Sequence, residues 1–276
     1  MELQFVKMNG IGNDFVVLDA RSQSIDLSID QARYIADRNF GIGCDQILII
    51  APSDSADITM LILNSDGSEA GACGNGSRCV ADLVMGQLET SRLSMETRGG
   101  IIMAERIGDN IAIDMGPAKL GWQDIPLASE QDTAGFDLGI DGVPLSIAVN
   151  MGNPHAVHIV DDAEAVDLAL IGPQLEHHPM FPDRANIEFI SSLAPDEIRM
   201  RVWERGAGIT IACGTGACAA AVAAARAGLT GRKVKVHLDG GILDIEWRDD
   251  GGVTMTGPSS YVFDGVIDLS KAGSRS

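Results

Sequence analysis

Residues 72–76 read Ala-Cys-Gly-Asn-Gly, and residues 212–216 read Ala-Cys-Gly-Thr-Gly. The two copies place Cys73 and Cys213 140 positions apart, about half the chain. Outward from this pair the same offset recurs. Asn13 follows Gly12 in MNGIGNDFVVLD, and Asn153 follows Gly152 in NMGNPHAVHIVDD. Gln46 in CDQILII aligns with Asn186 in RANIEFI, and Asn64 in LILNSDG aligns with Glu204 in RVWERGAG. Near the ends, Pro117 in DMGPA pairs with Pro258 in MTGPS. Matches in this order at a nearly constant offset imply a duplicated unit of about 120 residues, far longer than the roughly 20–50 of a solenoid repeat.

The copies run from Leu3 to Leu120 and from Val143 to Tyr261, and residues 121–142 read as the connection. The domain division expected is 1–118 and 119–261, with 262–276 packing back onto the first half and the active site in the cleft between the halves. The runs FVVLD, QILII, TMLIL, NIAIDM and KVKVHL, bounded by Gly, Asp and Pro, predict strands. Ser28 as N-cap, an apolar stripe of Ile29, Ala32, Ile35 and Ala36, and Gly41 as the stop predict a helix. The two matched cysteines each open a helix, over Gly74–Gly86 and Gly214–Gly228. The second is apolar on every side, so it is buried. The fold class is α/β (α+β): two pseudo-two-fold-related domains, each a strand-rich shell around one central helix.

Composition excludes several functions. Of 276 residues, 20 are basic and 39 acidic, for a net charge of −19. Such a surface repels phosphate backbones and anionic lipid, so neither nucleic acid nor membrane is an expected partner. The longest apolar run, Ala217–Ala225, is far short of the roughly 18 residues of a membrane span. No secretory leader is visible, and five cysteines, an odd number, suit a reducing, cytoplasmic compartment better than a disulfide framework. No complete dinucleotide fingerprint and no CxxC occurs. His155 and His158, three apart on a strand, face opposite ways, so no metal site is expected. Cys44, Cys79 and Cys218 read as core packing, His177 and His178 as loop residues, and DDAEAVD and EWRDDGG as solvated faces.

A helix start has unpartnered N–H groups and the positive end of the macrodipole, which suit a carboxylate. A cysteine there is expected to have a lowered pKa. Two such thiols on opposite sides of one carbon can invert it: one, as thiolate, removes a proton, and the other, as thiol, delivers one. Convergent N–H groups would stabilise the enolate between those steps. Glu204 and Arg205, in register with Asn64, suit an amine and a carboxylate. His155 follows the matched Asn153-Pro154.

MNGIGNDF, GIGCDQ, NSDGSEAGACGNGSRC, MGNPH, RANIEF, VWERGAGITIACGTGACA and MTGPSSYVFDG, in this order, resemble the diaminopimelate epimerase family across nearly the whole chain. The resemblance implies a cofactor-independent (PLP-independent) isomerase, a homodimer, interconverting LL- and meso-2,6-diaminopimelate in lysine and peptidoglycan-precursor synthesis. It implies a barrel-like, mostly antiparallel sheet in each domain. By position, Cys73 and Cys213 become the acid/base thiols, with Glu204 and His155 tuning them. Gly74, Asn75, Gly214 and Thr215 surround the reacting carboxylate. Asn13, Gln46, Asn64, Asn153, Asn186, Glu204 and Arg205 bind the amino-acid substrate, mainly its distal end. Asn9 and Gly71-Ala72 depart from the residues common in the family. Two other readings of the paired cysteines are a racemase of another amino acid and a thiol redox protein.

Overall fold

The computed structural model describes residues 2–272. One compact unit takes the chain up to Ile113 and again from Gly257; the other is Asp114–Thr256.

The first unit contains β1 (Glu2–Gly10), β2 (Asn13–Asp19), α1 (Ile29–Ala36), β3 (Gln46–Ala51), β4 (Ile58–Asn64), β5 (Glu69–Ala70), α2 (Gly74–Leu88), β6 (Arg92–Thr97) and β7 (Gly100–Ile107). Strand β8 (Asn110–Pro117) runs across the boundary. The second unit repeats the series: β9 (Ser146–Asn150), β10 (Pro154–Ile159), α3 (Leu168–Glu176), β11 (Asn186–Ala194), β12 (Glu197–Glu204), β13 (Gly208–Ile209), α4 (Gly214–Arg226), β14 (Lys233–Leu238), β15 (Gly241–Trp247) and β16 (Gly252–Gly257). The last strand, β17 (Ser260–Asp268), lies antiparallel on β1 in the first unit. The 262–276 segment therefore contributes to that unit as far as it is described; residues 273–276 lie outside the described residues.

The duplication extends to strand register. In the first unit β2 and β3 are parallel with Phe15 opposite Gln46; in the second, β10 and β11 are parallel with His155 opposite Asn186. Ile47 faces Leu63 across the antiparallel β3–β4 pair, and Ile187 faces Trp203 across β11–β12. The parallel β4–β6 pair places Ile58 against Met95, and β12–β14 places Ile198 against Val236. Both units are thus mixed, largely antiparallel sheets of one topology.

Each sheet is covered on both faces, which explains its continuous apolar strands. In β3, Ile47 and Ile49 pack with Ala32, Ile35 and Ala36 of α1. In β11, Ile187 and Phe189 pack with Leu168 and Leu175 of α3, each contributing about 1.5–3 kcal/mol by burial. The opposite faces close on the paired helices. Helix α2 packs against β1, β2, β3, β6 and β7, and α4 against β9, β10, β11, β12, β14 and β15. From Gly216 to Ala224, α4 is buried on every side, and its alanines let strands approach it closely.

Helix ends differ from the sequence expectation. Ser28 does cap α1, and Gln31 returns a bond to the Ser28 N–H, a capping box. The helix stops at Ala36 rather than Gly41, because Asp37 turns extended. Gly41 has another function: a Cβ there would lie 1.7 Å from the Tyr34 carbonyl oxygen. Helix α2 passes Gly86 and ends at Leu88, with Glu89 left-handed. Helix α4 ends at Arg226, two residues before Gly228. Gly228 (φ +72°) donates to Ala225 O and Leu229 to Ala224 O, a Schellman closure.

The 121–142 connection is not a solvated linker. Ile125, Leu127, Phe136 and Leu138 join the core against α3. DDAEAVD is likewise more than a solvated face: Asp162 caps a 3-10 turn and Asp167 caps α3. In EWRDDGG, Arg248 pairs with Asp114 and Asp250. Cys44, Cys79 and Cys218 are buried, and burial pushes the Cys44 and Cys79 thiols up to about 12. All five cysteines are free, and no helix is long and apolar enough to cross a membrane among the described residues.

Candidate functional site

Each unit gathers several of the expected site residues at the start of its central helix. In the first, β1 and β2 meet in a two-residue turn, Ile11-Gly12, with both φ values positive, the type I′ geometry of a tight hairpin. Asn9 accepts from the Gly12 N–H across this turn. A β-branched residue at φ +51° is strained, and this strain at Ile11 sits two residues before Asn13. Asn13 donates to Asp45, which leaves its Oδ1 to receive Asn75 Nδ2 (3.3 Å) and to lie 3.9 Å from Cys73 Sγ. Cys73 is the N-cap of α2, extended at φ −152°, and accepts from the Gly76 N–H at 3.3 Å. Gly74 and Asn75 open the helix behind it. Across β3–β4, Gln46 donates to Asn64 at 2.9 Å, and Asn64 donates to Ser68. Asn13, Asn75 and Cys73 are therefore in one network, and Gln46 and Asn64 in a second across β3–β4.

The second unit repeats the scaffold with different chemistry. Cys213 is the N-cap of α4, and Gly214 and Thr215 open the helix; Thr215 Oγ1 is 3.7 Å from Cys213 Sγ. Asn153 Oδ1 meets His155 Nε2 at 2.8 Å, and His155 Nδ1 meets Glu188 Oε1 at 2.6 Å. Both His155 and Glu188 are wholly buried. Asn186 donates to Pro154 O and accepts from the Arg205 N–H, so it holds two loops together. The exposed Arg205 guanidinium donates to Asp183 O. Glu204 accepts from the Thr210 hydroxyl. His158, on the opposite face of β10 from His155, stacks on Phe189 and bonds Pro144 O. His177 caps the end of α3 and His178 follows it. Among the described residues no three His, Cys, Asp or Glu side chains gather to hold a metal ion.

The electrostatics correct one expectation. Burial, then the charges of Glu204 and Glu188, push the Cys213 thiol well above its ordinary value, although Gly216 N–H and Thr215 oppose this. The helix start alone would lower it, but its effect is a fraction of an elementary charge, and two nearby carboxylates in a dry site outweigh that. Glu188 was not singled out from sequence. Its signal was present: an acid inside the apolar strand NIEFI, where the first copy has Leu48 in QILII. Burial raises its pKa, and His155 opposes the shift.

The family model for diaminopimelate epimerase matches residues 5–121 and 147–262. The chain is 55% identical over 270 residues to the diaminopimelate epimerase of Rhodospirillum centenum, covering 97% of this chain and 93% of that one. It is 53% identical to that of Acidiphilium cryptum, covering 96% of each. Among solved structures, a hydroxyproline epimerase from Agrobacterium vitis, with trans-4-hydroxy-L-proline bound, shares the fold at TM-score 0.66. That match has 14% identity and covers 96% of this chain and 92% of the other. A phenazine biosynthesis protein of the PhzF family from Bacillus anthracis shares it at TM-score 0.68 and 14% identity, covering 97% and 99%. The duplicated topology, the paired helix-start cysteines and these full-length matches agree: the chain belongs to the diaminopimelate epimerase family and is an isomerase.

Proposed function

We propose that Cys73 and Cys213 carry out the epimerisation of LL-2,6-diaminopimelate to the meso form by a two-base mechanism on a single substrate. The observation that carries this reading is positional: each cysteine is the N-cap of the repeated central helix. One thiolate takes the α-proton, and the electron pair of the broken C–H bond moves into the adjacent carboxylate as an enolate. The first N–H groups of α2 and α4, from Gly74, Asn75, Gly214 and Thr215, are the donors for that charge. The opposing thiol then gives its proton to the other face of the carbon. Thiol and thiolate have exchanged places, and the reverse reaction runs with the roles swapped.

Both proton transfers are supplied by the protein, so the scheme calls on no cofactor. The amides of Asn13, Gln46, Asn64 and Asn153, with Glu204 and Arg205, match a zwitterion that needs donors and acceptors together. Asn186, bonded on both sides of its amide, supports the Arg205 loop as well.

The test is incubation with LL-2,6-diaminopimelate in heavy water, followed by NMR of the α-hydrogen. Loss of that signal with growth of the meso isomer is expected. Cys73→Ser and Cys213→Ser should each slow epimerisation by about 10²–10⁴-fold, the usual scale for losing a general acid or base. No exchange by folded, reduced protein would overturn the reading.

A further inference from the structure

Strand β12 ends on Trp203 and Glu204, and Arg205-Gly206 begin the turn that follows. Successive strand residues point to opposite faces, so fixing Trp203 on one face fixes the direction of Glu204 on the other. Trp203 packs into the core cluster that contains Leu168 and Leu175 of α3. Its ring lies directly on the α3 backbone: a Cβ on Gly172 would stand 2.6 Å from two of its carbons. One helical turn further on, Glu176 is the last residue of α3 and is 3% exposed. Its Oε2 accepts from Trp203 Nε1 at 2.7 Å, and its Oε1 accepts from the Gly206 N–H at 2.9 Å. A single buried carboxylate therefore joins the residue before the Glu204–Arg205 pair to the residue after it.

The first copy shows that the scaffold folds without this bridge. Ala36 and Leu63 stand 140 positions before Glu176 and Trp203. Ala36 is likewise the last residue of its helix, and Leu63 packs against the cluster to which it belongs. A carboxylate is costly to bury, so its use in the second copy alone points to the content of the turn it holds. The same turn is tied from a second direction. Asn186 Oδ1 accepts from the Arg205 N–H, and the Arg205 guanidinium donates to Asp183 O. Arg184, the next residue, donates to Glu176 Oε1 at 3.4 Å. Glu176 thus reaches Arg205 both through Gly206 and through the Asp183–Arg184 segment.

We infer that Glu176 is a positioning residue: by bridging Trp203 Nε1 and the Gly206 N–H it holds Arg205 in the orientation that takes the charged, non-reacting end of the amino-acid substrate. The inference rests on the reading of Glu204 and Arg205 as substrate binders given above. An arginine recognises a carboxylate through a fixed fork of donors, so its backbone must be set before the substrate arrives. The non-reacting end carries the same charges before and during proton transfer. Its binding is therefore uniform, and losing it raises KM with little change in kcat. Glu204 keeps its pairing with Gly208 and its Thr210 bond without Glu176, so the loss falls on Arg205.

The test is steady-state epimerisation of LL-2,6-diaminopimelate by the full chain. In Glu176→Gln the amide accepts at one end of the bridge and turns its NH₂ toward the donor at the other. KM should rise about tenfold with kcat within about threefold of the parent. The indole N–H resonance of Trp203, assigned by its absence in Trp203→Phe, should move upfield. Trp203→Phe keeps an aromatic ring but removes one donor, so it should raise KM about threefold by itself. In that background the amide faces no opposing donor, and Glu176→Gln should then change KM by less than about twofold. Glu176→Gln with a lowered unfolding midpoint but an unchanged KM would overturn the inference. So would a fall in kcat at constant KM, or the same KM factor in both backgrounds. If Glu176→Gln does not fold, Trp203→Phe with an unchanged KM would overturn it. Arg205→Gln separates the two levels. An unchanged KM there would overturn the binding reading and the inference with it, whereas a raised KM there beside an unchanged one in Glu176→Gln would overturn the inference alone.

Discussion

Replacing Gly216 with alanine sets two effects of opposite sign against each other. Alanine in place of glycine favours a helix by at most about 1 kcal/mol. The added methyl would stand 2.9 Å from Glu188 Oε1, 3.1 Å from Cys213 Sγ and 3.3 Å from Cys213 Cβ. None of these neighbours is the free end of a flexible chain. Glu188 is fully buried with Oε1 fixed on His155, and Cys213 is tied into the helix start. Overpacking of this kind costs about 1–3 kcal/mol, so the net expectation is a loss of about 1–2 kcal/mol. At Gly76 the corresponding methyl would meet the methyl carbons of the buried Leu48 at 3.1 Å and the Cys73 thiol at an ordinary 3.4 Å.

The assay follows from where the fluorophores sit. All three tryptophans, Trp122, Trp203 and Trp247, lie in the second unit, so urea unfolding followed by tryptophan emission reports on that unit. Gly216→Ala should lower its midpoint by about 0.5–1 M urea. A Gly216→Ala midpoint at or above the parent would refute the close approach of Glu188 to α4.

Three further outcomes are expected. Asp14 carries a depressed pKa of about 2: burial opposes this, but the hydrogen bonds and charges of Arg38 and Lys7 prevail. Its contribution to stability is therefore present above the ordinary carboxylate range and lost as pH falls toward 2. The deficit of Asp14→Asn in thermal unfolding should be large at pH 7 and shrink through acid pH. Burial lowers the His158 pKa to about 4, so between about 6.5 and 4 the unfolded chain binds a proton that the folded one does not. His158→Phe should flatten the fall in Tm between pH 7 and 5 relative to the parent. Ser28→Ala removes the capping box of α1 and should cost about 1 kcal/mol, measurable as a lower circular-dichroism unfolding midpoint.

The duplication could be read from sequence because the glycines and amides flanking Cys73 and Cys213 keep an almost fixed offset, and the structure repeats that offset in strand register. The apolar strands and the capped α1 were legible from period and cap residues. What escaped is equally specific. Helix α3 opens on Leu168-Ala-Leu-Ile and contains Pro173, so its pattern lacks a clear polar face. The 121–142 segment looks like a linker because its Pro, Gly and Asp punctuation hides four core residues. The rise in the Cys213 pKa required knowing that the thiol is buried and that Glu204 and Glu188, on strands β12 and β11, converge on it. Glu188 stands out only when NIEFI is set against its counterpart QILII.

The pairing of β1 with β17 bears on how the chain reaches its folded state during synthesis. The ribosome releases the N-terminal side first, yet the strand that flanks β1 is made only after the whole second unit. The first unit must wait with one side of β1 unpaired while the second unit, continuous from Asp114 to Thr256, has everything it needs to fold. The half made later is therefore the one able to finish earlier, and the half made first is completed by the tail. Truncation near the C-terminus consequently damages the opposite end of the chain: loss of β17 exposes an edge on β1, with Leu3 and Phe5 of its core stripped of cover.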